Sequence, residues 1–229
     1  MTGAAGRWSV AFVLFGSTPL LYRIPTVAKM KFATVVAVAE TAFLLALLAW
    51  QALRLAPAIR HDPSNLALLI SDALPVLLVL VRRPAQAVSH SAADWFTAYA
   101  GAAAPILLTP GGHALIDPRI CGALMVLGLA INLYGKASLA RSFGLVAANR
   151  GVQRSGPYRV IRHPIYAGNA VTQIGFVLGN PTVFNLALCL AGLALQVIRL
   201  QAEEKLLGQD PIYAEYMTRV PYRLAPGVF

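Results

Sequence analysis

Apolar runs separated by short polar breaks rich in glycine and proline fill most of this chain. Windows at residues 32–55, 66–81, 95–108, 120–139, 165–178 and 183–198 reach or approach the roughly 20 residues needed to cross about 30 Å of hydrocarbon. A weaker seventh window covers residues 8–22. Arg7 precedes it as in a secretory signal, but Gly16-Ser17-Thr18-Pro19 is a poor cleavage site, so it reads as a span. The pattern predicts an all-α polytopic integral membrane protein of six to seven, about seven, transmembrane helices. Thr109-Pro110-Gly111-Gly112 predicts an outer turn, and Gly179-Asn180-Pro181 a tight connection that makes the last two spans an antiparallel hairpin. Residues 142–162, broken by Gly144, Gly151, Gly156 and Pro157, read as an ordered loop or short helices. Residues 210–219 read as an amphipathic helix with Ile212, Tyr213, Tyr216 and Met217 on the side that packs back.

Composition agrees with a membrane protein: 58% of the residues are hydrophobic and only 12% charged. The net charge of +10 does not form a nucleic-acid face, because the basic residues sit between apolar spans. With the loop after Lys136 in the cytoplasm, only Arg7, Arg54, Arg60 and Arg119 of the 19 Lys and Arg residues fall outside. That bias predicts an outside amino terminus, Gly111 outside, Gly151 inside and an inside carboxyl terminus. Membrane lipids are the expected surroundings, with anionic headgroups near the basic loops. Cys121 and Cys189 have no ligand-like spacing and read as small core residues. No linker divides the chain, so 1–229 is a single domain, with residues 1–135 as amino-terminal helices and the polar-rich residues 136–229 as the catalytic half.

Pro164 suits the first turn of a helix, which places His163 at the cap and puts Tyr166, Asn169 and Gln173 on one face. A polar stripe of this kind in a lipid-embedded helix should point inward. Gln196, Arg199 and Glu203 share a face of the last span. Glu40 and Asp72 are intramembrane acids outside this region and read as protonated or paired packing groups. No Gly-x-Gly-x-x-Gly follows a strand, no serine elbow is evident, and His61, His90 and His113 lie in separate loops, so neither a Rossmann fold nor a metal site is expected.

Ser138-Leu139-Ala140-Arg141-Ser142-Phe143-Gly144, Gly156-Pro157-Tyr158, Arg162-His163-Pro164-Ile165-Tyr166, Arg199, Glu203-Glu204, Tyr213, Tyr216 and Val220-Pro221 follow in order over about 90 residues. This series resembles the isoprenylcysteine carboxyl methyltransferase family of integral-membrane methyltransferases, and its Val220-Pro221-Tyr222-Arg223-Leu224 tail looks like the bacterial members. Residues 207–211 depart from the prenylcysteine pattern. The resemblance implies a pocket for S-adenosylmethionine on the cytosolic side of the inner membrane, formed by the carboxyl-terminal half, with a lipophilic acceptor entering from the bilayer. It implies cofactor contacts at Val152, Gly156, Pro157, Tyr158, Arg162, His163, Tyr166 and Glu204. It implies catalytic or substrate contacts at Arg199 and Glu203, His163 and Arg199 suiting the donor's carboxylate and Glu203 its ammonium. The acceptor would be a lipophilic or small-molecule carboxylate, thiol or amine. Two other readings remain open: a nicotinamide-dependent membrane reductase, whose 2′-phosphate Arg150, Arg154 and Arg159 would hold, and a non-catalytic lipid-binding protein.

Overall fold

The computed structural model describes residues 26–57 and 64–228, and the weak window at 8–22 lies outside them. Seven helices follow in order within the described residues: α1 (Thr26–Leu55), α2 (Ser64–Val81), α3 (Ala92–Ala103), α4 (Pro118–Leu139), α5 (Pro164–Gly179), α6 (Val183–Leu207) and α7 (Pro211–Arg219). Segments Thr34–Arg54, Pro118–Ser142 and Val183–Leu207 are long and apolar enough to cross a membrane. They carry exposed apolar side chains, among them Val38, Leu53, Val126, Leu190 and Ile198, as a lipid-facing surface requires.

Local chemistry sets the helix starts. Asp117 accepts the Arg119 N–H at 2.8 Å and Asp210 the Ile212 N–H at 2.9 Å, each just before a proline that needs no N–H partner. Thr182 caps α6 through the Asn185 N–H at 3.1 Å.

Small residues govern the packing of α4 on α5. A Cβ at Gly168 would lie 2.5 Å from the Asn132 backbone nitrogen, and one at Gly175 would lie 2.9 Å from Leu124 Cβ. Glycine therefore lets the two backbones approach antiparallel. The expected hairpin of the last two spans is correspondingly modified: α5 turns through Asn180 and Pro181 into α6, but its principal partner is α4, while α6 lies chiefly along α3. Buried Asn185 ties these two turns together by bonding both the N–H and the carbonyl of Thr109. Cys121 and Cys189 are buried free thiols.

The loop between α4 and α5 is ordered by partners far away in sequence. Ala148–Asn149 (β2) pairs antiparallel with Ala87–Val88 (β1), and Arg83 N–H donates to the Arg141 carbonyl at 2.8 Å. Phe143, Leu145 and Val146 are buried against Leu44, Val76 and Val79. On α7 the buried side is Tyr213 and Tyr216, with Met217 against them, whereas Ile212 is exposed.

Candidate active site

A cavity of about 430 Å³ opens between α1, α2, α4, α5, α6, α7 and the loop at residues 142–153. Its size lies within the usual range for small-molecule sites. At one end stand Val152, Tyr158, Arg162, His163, Tyr166, Arg199 and Glu203, seven of the ten residues singled out in the sequence. The helix ends predicted to meet do so.

Glu204 binds the ends together. Its Oε1 accepts from Arg162 Nε at 2.8 Å and lies 3.0 Å from His163 Nε2, while Oε2 accepts from Arg223 Nε at 2.9 Å. Arg162 also donates through Nη1 to the Val220 carbonyl at 3.2 Å, and the N–H groups of Arg162 and His163 donate to the carbonyls of Tyr222 and Arg223. The tail is thereby clamped over the start of α5. Glu204 is buried and does not line the cavity; it is surrounded by cations that hold the wall together.

Glu203, one residue earlier, points elsewhere. Its carboxylate accepts from the Tyr166 hydroxyl, lies 3.8 Å from His163 Nδ1 and remains partly exposed to the cavity. His163 thus has a carboxylate beside each ring nitrogen. The Arg199 guanidinium sits 5.2 Å from the Tyr166 ring centroid and donates through Nη2 to the Leu145 carbonyl at 3.0 Å. A Cβ at Gly101 would fall 3.2 Å from Arg199 Cδ, so the glycine on α3 leaves room for the side chain.

Gly156 and Pro157 are not in the cavity wall. Gly156 has φ +60°, and a Cβ there would lie 2.6 Å from Ser138 Oγ, so its glycine serves the close approach of this turn to α4. The turn matters to the site through Tyr158, whose carbonyl accepts from the Tyr216 hydroxyl at 2.7 Å. Burial pushes Tyr158 far above the ordinary phenol range, aided by Glu203, and lifts Tyr213 strongly, aided by Glu204. Burial also pushes Tyr216 up to about 12, against the opposing pull of Arg162. All three phenols stay neutral near pH 7 and offer flat apolar surface and hydrogen bonds, not charge.

Arg150 belongs to the site although its motif neighbours did not mark it. It is buried in the cavity wall beside Gly144, and its Nε has no hydrogen-bond partner. Burial, and then Arg82, lower its pKa to about 10, while Glu40 and Glu203 pull the other way. Arg154 and Arg159 are exposed and do not line the cavity, so the three arginines do not form one cluster.

The amino-terminal half supplies the rest of the wall. Fully buried Glu40 pairs with Arg82 and accepts the Val146 N–H at 2.7 Å, fixing the loop that carries Leu145 and Arg150. This is the paired packing role expected of it, with a further hold on the site. Asp72, Gln51, Asn132 and Lys136 also line the cavity. Among the described residues no cluster of His, Cys, Asp or Glu could hold a metal ion.

Residues 118–215 are similar to the phospholipid methyltransferases and match the model of that family. The matched stretch runs from the start of α4 into α7 and includes Val152, Tyr158, Arg162, His163, Tyr166, Arg199, Glu203 and Tyr213, stopping just short of Tyr216. That family belongs with the integral-membrane methyltransferases. A membrane methyltransferase acting on lipid-like substrates is thus the activity to which this stretch is similar. No curated protein matches the chain closely.

Proposed function

We propose that this chain transfers a methyl group from S-adenosylmethionine to a lipophilic acceptor at the cytosolic face of the membrane, in the manner of the isoprenylcysteine carboxyl methyltransferase type. The observation that carries the reading is the convergence of Arg150, Arg199, Glu203 and the neutral tyrosines Tyr158, Tyr213 and Tyr216 on one end of the cavity. The orphaned Arg150 Nε and the Arg199 guanidinium, both in the cavity wall, suit a carboxylate. Glu203 suits an ammonium, and the tyrosine faces suit an adenine and a sulfonium. His163, enclosed by Glu203 and Glu204, orients Glu203 instead of binding a carboxylate itself.

Bound S-adenosylmethionine would supply an electrophilic methyl carbon on a cationic sulfur that becomes neutral on transfer. The protein's contribution is mainly to position and to exclude water. For an amine acceptor a base is also needed, and Glu203, held by the Tyr166 hydroxyl at the cavity edge, is placed to take the proton. A carboxylate or thiolate acceptor needs none. The exposed positions of Arg154 and Arg159 give the nicotinamide reading no phosphate cluster.

Membranes containing the protein, given methyl-labelled donor, should yield label in a lipid-extractable product; label in no lipid or thiol fraction, with reduction of an unsaturated lipid by NADPH, would overturn the reading. The proposed orientation puts residues 140–162 and the carboxyl terminus in the cytoplasm of a bacterial inner membrane, within a seven-span chain. In a cysteine-free background, His113→Cys should react with impermeant thiol reagents in intact cells and Arg154→Cys should not. The reverse pattern would invert the topology.

A further inference from the structure

Arg199 and Glu203 stand one turn apart on α6, a spacing at which opposite charges ordinarily pair along the helix surface. Among the described residues no ion pair joins them. Each is drawn aside by partners on other elements. The Arg199 guanidinium lies against the Tyr166 ring and donates to the Leu145 carbonyl at 3.0 Å. One oxygen of the Glu203 carboxylate accepts from the Tyr166 hydroxyl, and the other lies 3.8 Å from His163 Nδ1. Tyr166 belongs to both sets of partners, through its ring on one side and its hydroxyl on the other.

The surroundings hold Tyr166 and Arg199 in this arrangement. Tyr166 is buried in the first turn of α5, with the His163 ring 5.6 Å from its own. On the opposite side of Arg199, a Cβ at Gly101 would fall 3.2 Å from Cδ and 3.6 Å from Nη1, so α3 and Tyr166 bound the guanidinium between them. Magnitudes favour separation over pairing. A hydrogen bond to a charged group is worth about tenfold or more in an equilibrium constant, whereas an ion pair at this helical spacing is worth about twofold. The order with Arg before Glu is also the weaker of the two. A single phenol hydroxyl is therefore enough to keep the carboxylate from its helical neighbour, and its removal returns Glu203 to Arg199.

We infer that Tyr166 is a positioning residue that keeps Arg199 and Glu203 apart, so that the cavity presents a separate cation and anion to a zwitterionic α-amino-acid group. An Arg199–Glu203 pair would have to be broken before either charge could meet such a ligand. The ligand class rests on the methyltransferase reading, since the amino-acid end of that donor carries both an ammonium and a carboxylate. The separation of the two charges rests on the geometry alone.

A structure of the Tyr166→Phe protein in lipid nanodiscs tests the separation. Calorimetric titration with S-adenosylhomocysteine, and with 5′-methylthioadenosine, which keeps the nucleoside thioether but lacks the amino-acid end, tests its consequence. The variant should bring a Glu203 oxygen to ion-pair distance from the Arg199 guanidinium. It should bind S-adenosylhomocysteine about tenfold more weakly and 5′-methylthioadenosine as the unaltered protein does, a difference that general loosening of the fold would not produce. Added to Glu203→Ala, Tyr166→Phe should cause no further loss, because no carboxylate remains to be held off; this comparison carries the test should Tyr166→Phe alone fail to fold. Glu203 left in place or turned to His163, unchanged or equal losses for the two ligands, or a further loss in the double variant would overturn the inference. Absence of S-adenosylhomocysteine binding to the unaltered protein would instead defeat the proposed function, with the Tyr166→Phe structure still deciding the separation.

Discussion

Arg162 and Glu204 close their ion pair across 42 residues in the carboxyl-terminal half, whereas Glu40 of the amino-terminal half reaches the Val146 N–H across 106. The first contact joins two helix ends that each carry a local signature: a proline-started helix on one side and an Arg-Glu face on the other. The second joins an isolated acid in an apolar run to a backbone group in a loop, which no spacing announces. The comparison teaches that the recognisable half holds the groups suited to chemistry, and the unrecognised half holds those groups in place and shapes the remainder of the cavity.

The sharpest way to break this division is at Glu40. Glu40→Ala leaves Arg82 buried without its carboxylate and the Val146 N–H without its acceptor, so unfolding stability should fall by about 3–5 kcal/mol, as for other broken buried ion pairs. Binding at the Tyr158 end should weaken with it, because the loop Glu40 holds carries Leu145 and Arg150. Chemical denaturation of the detergent-solubilised protein reads the first, and ligand titration the second; a stable variant with an unmoved loop would make the two halves independent.

Next in size is the contrast between adjacent acids. Glu204→Ala strands Arg162, His163 and the partly exposed Arg223, and should lower stability by about 3 kcal/mol. Glu203→Ala should change stability by less than about 1 kcal/mol, yet weaken S-adenosylhomocysteine binding by about 1.5–3 kcal/mol, the worth of a charge-assisted contact. Thermal melts paired with calorimetry separate the two; identical behaviour would erase the distinction drawn between wall and site.

What was legible in the sequence follows the same line. The six clearer apolar windows are all helical, because hydrophobic runs bounded by Gly and Pro report local structure directly. The His163 cap, the inward stripe of Tyr166, Asn169 and Gln173, and the meeting of Arg162 with the end of α6 were legible for the same reason. Sequence order could not distinguish Glu203 from Glu204, since their separation into cavity and wall depends on a rotation of about 100° along α6 and on where Arg223 returns. Gly156 was readable as a turn residue but not as the seat of Ser138. Arg150 was visible only as one of three arginines, and its burial depends on Gly144 leaving space for the guanidinium. Asp72 and Gln51 meet only because α1 and α2 pack together.

The smallest effect concerns the attachment of α7 to β2. Asp210 accepts the Ile212 N–H and also Asn149 Nδ2 at 2.9 Å, which joins α7 to β2. The Asn149 hydrogen bond, followed by the Ile212 N–H, holds its carboxyl below the usual range. Its stabilisation is therefore in place above the ordinary Asp pKa and is lost as pH falls through the lowered value. Asp210→Ala should cost about 1 kcal/mol near neutral pH, as for a lost helix cap. The gap in melting temperature between variant and unaltered protein should narrow on acidification, and a gap that widens would contradict the assignment.

The central claim is that the Tyr158 end of the cavity is a methyl-donor site. Calorimetric titration of S-adenosylhomocysteine into the protein in lipid nanodiscs, with NADPH titrated in parallel, tests it most directly. Saturable binding of S-adenosylhomocysteine that weakens about tenfold or more in Arg150→Met, Arg199→Ala and Glu203→Ala, with no comparable NADPH binding, is the result predicted from charge-assisted contacts. Binding of NADPH alone, or S-adenosylhomocysteine affinity unchanged in all three variants, would contradict it.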